Sequence, residues 1–200
     1  MLYIHIVLST LQSFPDPETL LFDSVLEVWH VYQKGDLIVY GSSGVCRVEE
    51  IGPLKGAGGV KEVREYYTLS PVFGSGVIYI PSDTGMFMRP VLTKEQVESL
   101  IDRIPTLEGD TCDISTLRAL SEQYHAAFES HRCENLLRLI KALYLKEQNS
   151  VRQGRRVGLT EMKYRKHAEE LIHGEFSVAL GIPVEEVPNY ISARLSNAEQ

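Results

Sequence analysis

Between Asp36 and Pro90 the chain changes texture every few residues, and that rhythm restricts its fold more than any other feature of the sequence. "DLIVY" (36–40) is apolar throughout, as a strand covered on both faces is. "GSSG" (41–44) is a turn of residues that tolerate positive φ or bond their own backbone. "VCRVEEI" (45–51) alternates, with Cys46 and Val48 toward one face and Arg47 and Glu49 toward the other. "GPLKGAGGV" (52–60) is too glycine-rich for a strand interior and reads as a connection. "VREYYTLS" (63–70) alternates again, setting Val63, Glu65, Tyr67 and Leu69 opposite Arg64, Tyr66 and Thr68. "GVIYIP" (76–81) is a fourth strand stopped by Pro81, which has no N–H to give a ladder. "GMFMRP" (85–90) is a short fifth. Five short strands joined by tight turns predict a small, strongly bent antiparallel sheet, an SH3-like or Tudor-like barrel.

After Pro90 the period changes. "TKEQVESLIDRIP" (93–105) predicts a helix capped by Thr93, with Val97, Leu100 and Ile104 along one side. The polar "EGD" leads to a joint at Thr111–Asp113. Beyond it Leu117, Leu120, Tyr124, Ala127, Phe128 and His131 recur at helical spacing, as do Leu136, Leu139, Ile140, Leu143 and Tyr144. A third stripe holds Tyr164, Ala168, Leu171, Ile172, Phe176 and Ala179. It has Thr160 as a candidate cap and Gly181 with Pro183 as a stop. "NSVRQGRRVG" (149–158) connects the second and third of these helices, and "EEVPNYISARLSNAEQ" allows a short final one. The fold class is therefore α+β: a small N-terminal barrel followed by an all-helical C-terminal domain. The expected division is residues 1–31 as a non-conforming extension, 32–110 as the β module and 111–200 as the helical module.

The formal net charge is -7, which argues against non-specific attraction of the whole surface to nucleic acid. The average conceals a cluster. Lys146, Arg152, Arg155, Arg156, Lys163, Arg165 and Lys166 lie close in sequence, opposed there only by Glu147 and Glu161. A solvated helix face and a phosphate-facing patch both fit this cluster, and the acidic background favours weighing the second seriously. No aromatic residues interleave with the cations in the manner of single-strand binders, so duplex backbone contact is the better form of a nucleic-acid reading.

Enzyme signatures are missing. The chain carries no phosphate-binding Walker loop, no G-x-G-x-x-G opening a helix, no H-E-x-x-H and no G-x-S-x-G elbow. The glycines at 56–59 are followed by no Lys-Ser/Thr and no helix, so they read as a hairpin connection. Cys46, Cys112 and Cys133 are odd in number and lack metal-ligand spacing, which suits reduced thiols. His131 and Cys133 alone make no metal site, and His131 reads as a helix-face residue. The expectation is a non-enzyme without metal or cofactor. No apolar run is long enough to span a bilayer, and "MLYIHIVLSTLQS" lacks a basic leader and a small-residue cleavage site. A cytoplasmic, nucleoid-associated protein is expected.

"YQKGDLIVYGSSGVCRVEEI" (32–51), "EYYTLSPVFGSGVIYIP" (65–81) and the helical remainder together resemble the CarD/CdnL family of bacterial transcription regulators. In that family a G-D-x-V-V-Y strand opens a Tudor-like module related to the polymerase-interacting domain of the transcription-repair coupling factor. The resemblance runs from about Tyr32 to about Leu180. It implies a non-enzymatic protein whose β module binds the RNA polymerase β subunit and whose helical module contacts promoter DNA upstream of the transcription bubble, changing open-complex stability. Carried onto this sequence, the polymerase contacts fall at Lys55 and Lys61 in the glycine-linked hairpin and at Val77, Ile78, Tyr79 and Ile80 in the fourth strand. An exposed strand edge adding a partner's strand would account for such docking. The DNA contacts fall at Arg152, Arg155, Arg156, Lys163 and Lys166.

Two departures from the family qualify this. A position often basic in its fourth strand is Tyr79 here, which fits a docking contact and an idle surface aromatic equally. The family's minor-groove tryptophan has no counterpart in "DISTLRALSEQYH" (113–125), so DNA contact is expected to rest on backbone charge rather than wedging. Val31–Asp36 also matches the family's usual beginning, from which residues 1–30 are expected to be an over-extended start without function. A protein-interaction adaptor that docks through its sheet edge and leaves DNA alone is the alternative reading.

Overall fold

Gly35 and Asp36 set up the first strand through their own chemistry. Gly35 sits at φ 96, a conformation that costs a residue with a Cβ, and its N–H reaches the Val48 carbonyl at 2.7 Å. The Asp36 carboxylate accepts the Gln33 N–H at 2.7 Å and closes the turn before the strand. Strand β1 (Leu37–Tyr40) then passes through a single 3-10 turn, Gly41–Ser43, into β2 (Val45–Pro53). Strands β3 (Glu65–Pro71), β4 (Ile78–Pro81) and β5 (Met88–Pro90) complete the set. All pairings are antiparallel and the order is β4-β3-β2-β1-β5, with Leu37 opposite Arg47, Val48 opposite Leu69 and Thr68 opposite Tyr79. The register shifts between Val48 and Glu50, an irregularity that bends β2. In this computed structural model, residues 32–53, 65–83, 87–107, 117–156 and 158–198 are described.

The alternation expected of β2 and β3 is present: Cys46, Val48, Tyr67 and Leu69 are buried while Arg47 and Glu49 face outward. With Tyr32, Ile38 and Ile80 they form the sheet's own core. Its neighbour Val39 lines a small hollow with Phe128, Leu136 and Leu171 of the helices, so β1 is covered on both sides as its apolar run predicts.

Helix α1 (Lys94–Arg103) starts at Thr93 with a full capping box: the Thr93 hydroxyl accepts the Gln96 N–H, and the Gln96 side chain accepts the Thr93 N–H at 2.9 Å. Helices α2 (Leu117–Glu129), α3 (Cys133–Arg152), α4 (Leu159–Leu180) and α5 (Val187–Ala198) follow. A second core gathers Val97, Leu100 and Ile101 of α1 with Leu136, Leu139 and Leu143 of α3, Ala168, Ile172 and Phe176 of α4, and Val187 of α5. Arg194 of α5 forks onto Asp102 at 2.7 and 2.9 Å, and Tyr190 donates to Glu98 at 2.8 Å, which fixes the last helix against α1.

Three expectations change. Helix α3 runs on to Arg152, so most of the first half of "NSVRQGRRVG" is helix rather than connection. Helix α4 begins at Leu159 with Gly158 as its cap; Glu161 reaches back to the Gly158 N–H at 3.1 Å, and Thr160 lies inside the first turn. His131 lies beyond α2 at φ 52 and turns the chain toward α3, rather than riding on a helix face. The sheet and all five helices share one compact unit, Tyr32–Gln200. Gly44 shows how closely they meet: a Cβ there would lie 3.0 Å from the Leu171 side chain, on a backbone already at φ 71.

Candidate functional site

The two margins of the sheet differ. Strand β4 lies at one end of the order and, among the described residues, pairs only with β3. Val77, just before it, and Tyr79 within it are about half exposed, at 52% and 54%. Val72 and Phe73, at the far end of the same hairpin, are also exposed. Ile78 packs partly against the sheet core and Ile80 is 1% exposed, so Ile80 holds the strand in place and its side chain cannot touch a partner. The four strand residues expected to dock thus divide, with Val77 and Tyr79 available, Ile78 half available and Ile80 internal. Lys55 and Lys61 lie outside the described residues.

Strand β5, at the other end, is occupied. The Tyr32 hydroxyl donates to the Met88 carbonyl at 3.0 Å, Arg89 donates to the Pro90 carbonyl at 3.1 Å, and Pro90 has no N–H. Among the described residues, the β4 margin is therefore the one that offers backbone groups for strand addition.

At the tip of the α3–α4 hairpin the cations sort by partner. Lys146 pairs with Glu161 at 2.6 Å, and Arg165 pairs with Glu147 and with Glu169. These half-buried bridges tie the two helices together and consume both local acids. Arg152, Arg155, Arg156, Lys163 and Lys166 are all exposed. Lys166 has only a loose bridge to Glu170 at 3.7 Å. Among the described residues no acid lies within salt-bridge distance of Arg152, Arg155, Arg156 or Lys163. The hairpin brings the first three together around its turn, with Lys163 on the first turns of α4 and Lys166 one turn further along. Val151, Leu159 and Met162 are exposed at the same tip, with Leu159 at 78%, an apolar component that a search for charge alone passes over.

Sequence reasoning missed a third feature. Glu175 of α4 is 3% exposed, and its carboxylate accepts both terminal nitrogens of Arg89 on β5, Nη2 at 2.6 Å. Glu175 also accepts the Leu92 N–H at 3.1 Å and the Cys133 thiol at 3.0 Å. Arg89 Nε donates to the His131 carbonyl at 2.9 Å, and the His131 ring stacks on Phe87 at 4.0 Å. Burial pulls the Arg89 guanidinium down, but the bond and charge of Glu175 more than reverse this and leave it raised. Burial and the Glu175 charge push the Cys133 thiol well up, which makes it an inert donor rather than a nucleophile. Burial, then the Arg89 charge, holds the His131 imidazole below its ordinary value. The one signal in sequence is an acid on an otherwise apolar stripe of α4, which names no partner 86 residues away.

Among the described residues no group of three or more His, Cys, Asp or Glu residues could hold a metal, and no helix is long and apolar enough to cross a membrane. A cavity of about 170 Å³ between the Ser42–Val45 turn, Phe73 and α4 is smaller than the usual small-molecule site.

Comparison with known proteins agrees with this geometry. Residues 32–92 match the family described as CarD-like/TRCF RID domain, and no curated protein matches the chain. Such a domain interacts with RNA polymerase, which gives the sheet a transcription-related interaction role. The motif that opens β1 and the whole of β4 lie inside this match, so the sheet of this chain is similar to the CarD-like/TRCF RID domain, over residues 32–92.

Proposed function

We propose that the protein is a transcription regulator that docks on the RNA polymerase β subunit through the β4 margin and lays its cationic tip along promoter DNA. Val77 and Tyr79 supply the exposed side chains of the docking strand, and Arg152, Arg155, Arg156, Lys163 and Lys166 meet phosphates upstream of the bubble. Such contacts position a protein without reading bases. Gripping duplex DNA while tethered to polymerase changes the stability of the open complex. The single observation that carries this reading is the presence, within one compact unit, of a match to a polymerase-interacting domain and a tip whose local acids are already paired while Arg152, Arg155, Arg156 and Lys163 have none in reach.

Titration of fluorescent promoter duplex with the full chain at increasing salt tests the DNA half. Affinity should fall steeply as salt rises, and it should be lost when the tip cations are neutralised. Capture of polymerase without any salt-sensitive duplex binding would instead favour an adaptor that docks through the sheet alone.

A further inference from the structure

The Arg89–Glu175 pair touches neither the open margin nor the tip, yet it is the most deeply buried charge pair among the described ion pairs. Its geometry is unusually complete. One Glu175 oxygen accepts from Arg89 Nη1 and Leu92 N–H, the other from Arg89 Nη2 and the Cys133 thiol. Arg89 spends its remaining donors on the carbonyls of His131 and Pro90 and on the Cys133 sulfur at 3.4 Å. A single ion pair thus fastens five places at once: strand β5, the exit toward α1, the turn before α3, the first residue of α3, and the C-terminal half of α4. Apolar residues of similar volume would stabilise such a site at least as well, so a network of this kind is better suited to fixing one geometry than to adding stability. Fork geometry also makes the fixing directional, because a planar guanidinium bonded to both carboxylate oxygens sets angle as well as distance.

The neighbouring contacts point the same way. Leu171 fills the space left by the missing side chain at Gly44, and a Cβ on Gly174 would lie 3.0 Å from the Phe73 ring. Residues 171, 174 and 175 therefore form one stretch of α4 seated against the β1–β2 turn, the β3–β4 hairpin and β5. Two aromatic stacks lie nearby: Tyr124 on Tyr164 at 3.8 Å holds α2 to α4, and Phe87 on His131 at 4.0 Å ties the approach to β5 to the turn before α3.

We propose that Arg89 and Glu175 are positioning residues that lock the helices at a fixed attitude to the sheet, so that docking at β4 determines where the cationic tip points. The functional consequence rests on the polymerase–DNA reading above; the lock itself does not. With the lock closed, the second contact is made at high effective concentration. Without it the tip sweeps a wide range and the gain from joining two weak contacts falls.

The test uses the full chain in a Cys112→Ser background, spin-labelled at Glu49→Cys on β2 and Asn149→Cys on α3, both exposed positions; Cys46 and Cys133 are buried. Pulsed electron resonance reads the distance distribution. The parent should give one narrow distribution, and Glu175→Gln should broaden it by about twofold or more, as should Arg89→Lys, which keeps the charge but loses the fork. If Glu175→Gln does not fold, the double variant Arg89→Met with Glu175→Met fills the same space without the ion pair and carries the measurement. A broad parent distribution, or a narrow one in the folded variants, overturns the proposal. A companion titration compares affinity for polymerase alone, for promoter duplex alone and for the two together. Glu175→Gln should hold the separate affinities within about twofold and lose about tenfold or more of the joint gain. A parent that binds neither polymerase nor duplex defeats the proposed function, while the distance measurement still decides the lock.

Discussion

His131 is a non-glycine residue at φ 52, a conformation that asparagine accepts more readily than most side chains do. Its imidazole, and that of His173, are held below the ordinary value, in both cases first by burial. Both are neutral in the folded chain and unfolded chain above about pH 6.5. As pH falls below that value the unfolded chain takes up protons first, so stability present at pH 7.5 declines toward pH 5. Urea midpoints across that range should show the decline, and His131→Asn, which keeps the turn, should make it shallower; an unchanged slope would assign the loss to other groups. Arg89→Met should act differently, with a cost that does not follow the histidines. It strands a buried carboxylate and should cost about 3–5 kcal/mol in denaturant titration.

Strand β4 shows what alternation in a sequence can and cannot reveal. Tyr79 and Ile80 are adjacent and belong to opposite faces, so they should separate docking from folding. Tyr79→Ala should change stability by no more than about 0.5 kcal/mol and weaken capture of polymerase. Ile80→Ala should cost about 2–5 kcal/mol and reduce capture only through unfolding. Equal loss of capture at unchanged stability from both would mean that the strand docks in some other way. Period-two patterning and turn chemistry made β1 to β5 readable, and Thr93 and Gly181 marked helix ends because caps are local. The start of α4 was misread because a glycine with Glu161 reaching back competes with a threonine two residues on, and both satisfy the same rule. Glu175 and Arg89 were illegible for the opposite reason: their partnership is entirely long-range, and no periodicity records it.

At the scale of the whole molecule, an acidic chain carries a cationic tip on its α3–α4 hairpin. Charge clustering showed the residues involved, but only the α3–α4 hairpin showed which of them are spent on internal bridges. Arg165 and Lys146 hold the hairpin, whereas Arg155 and Arg156 are free to meet phosphate. Replacing both of these with Ala should lower the slope of log affinity against log salt by about 2, close to 0.9 for each phosphate contact removed. An unaltered slope would move the contact elsewhere. The unequal sheet margins carry a last consequence. Among the described residues the β5 side is already taken up by Tyr32 and Arg89, so the proposed addition of a foreign strand at β4 would leave no second described edge to recruit another. Growth by edge addition should then terminate after a single step, and crowding should give at most paired copies rather than fibrils.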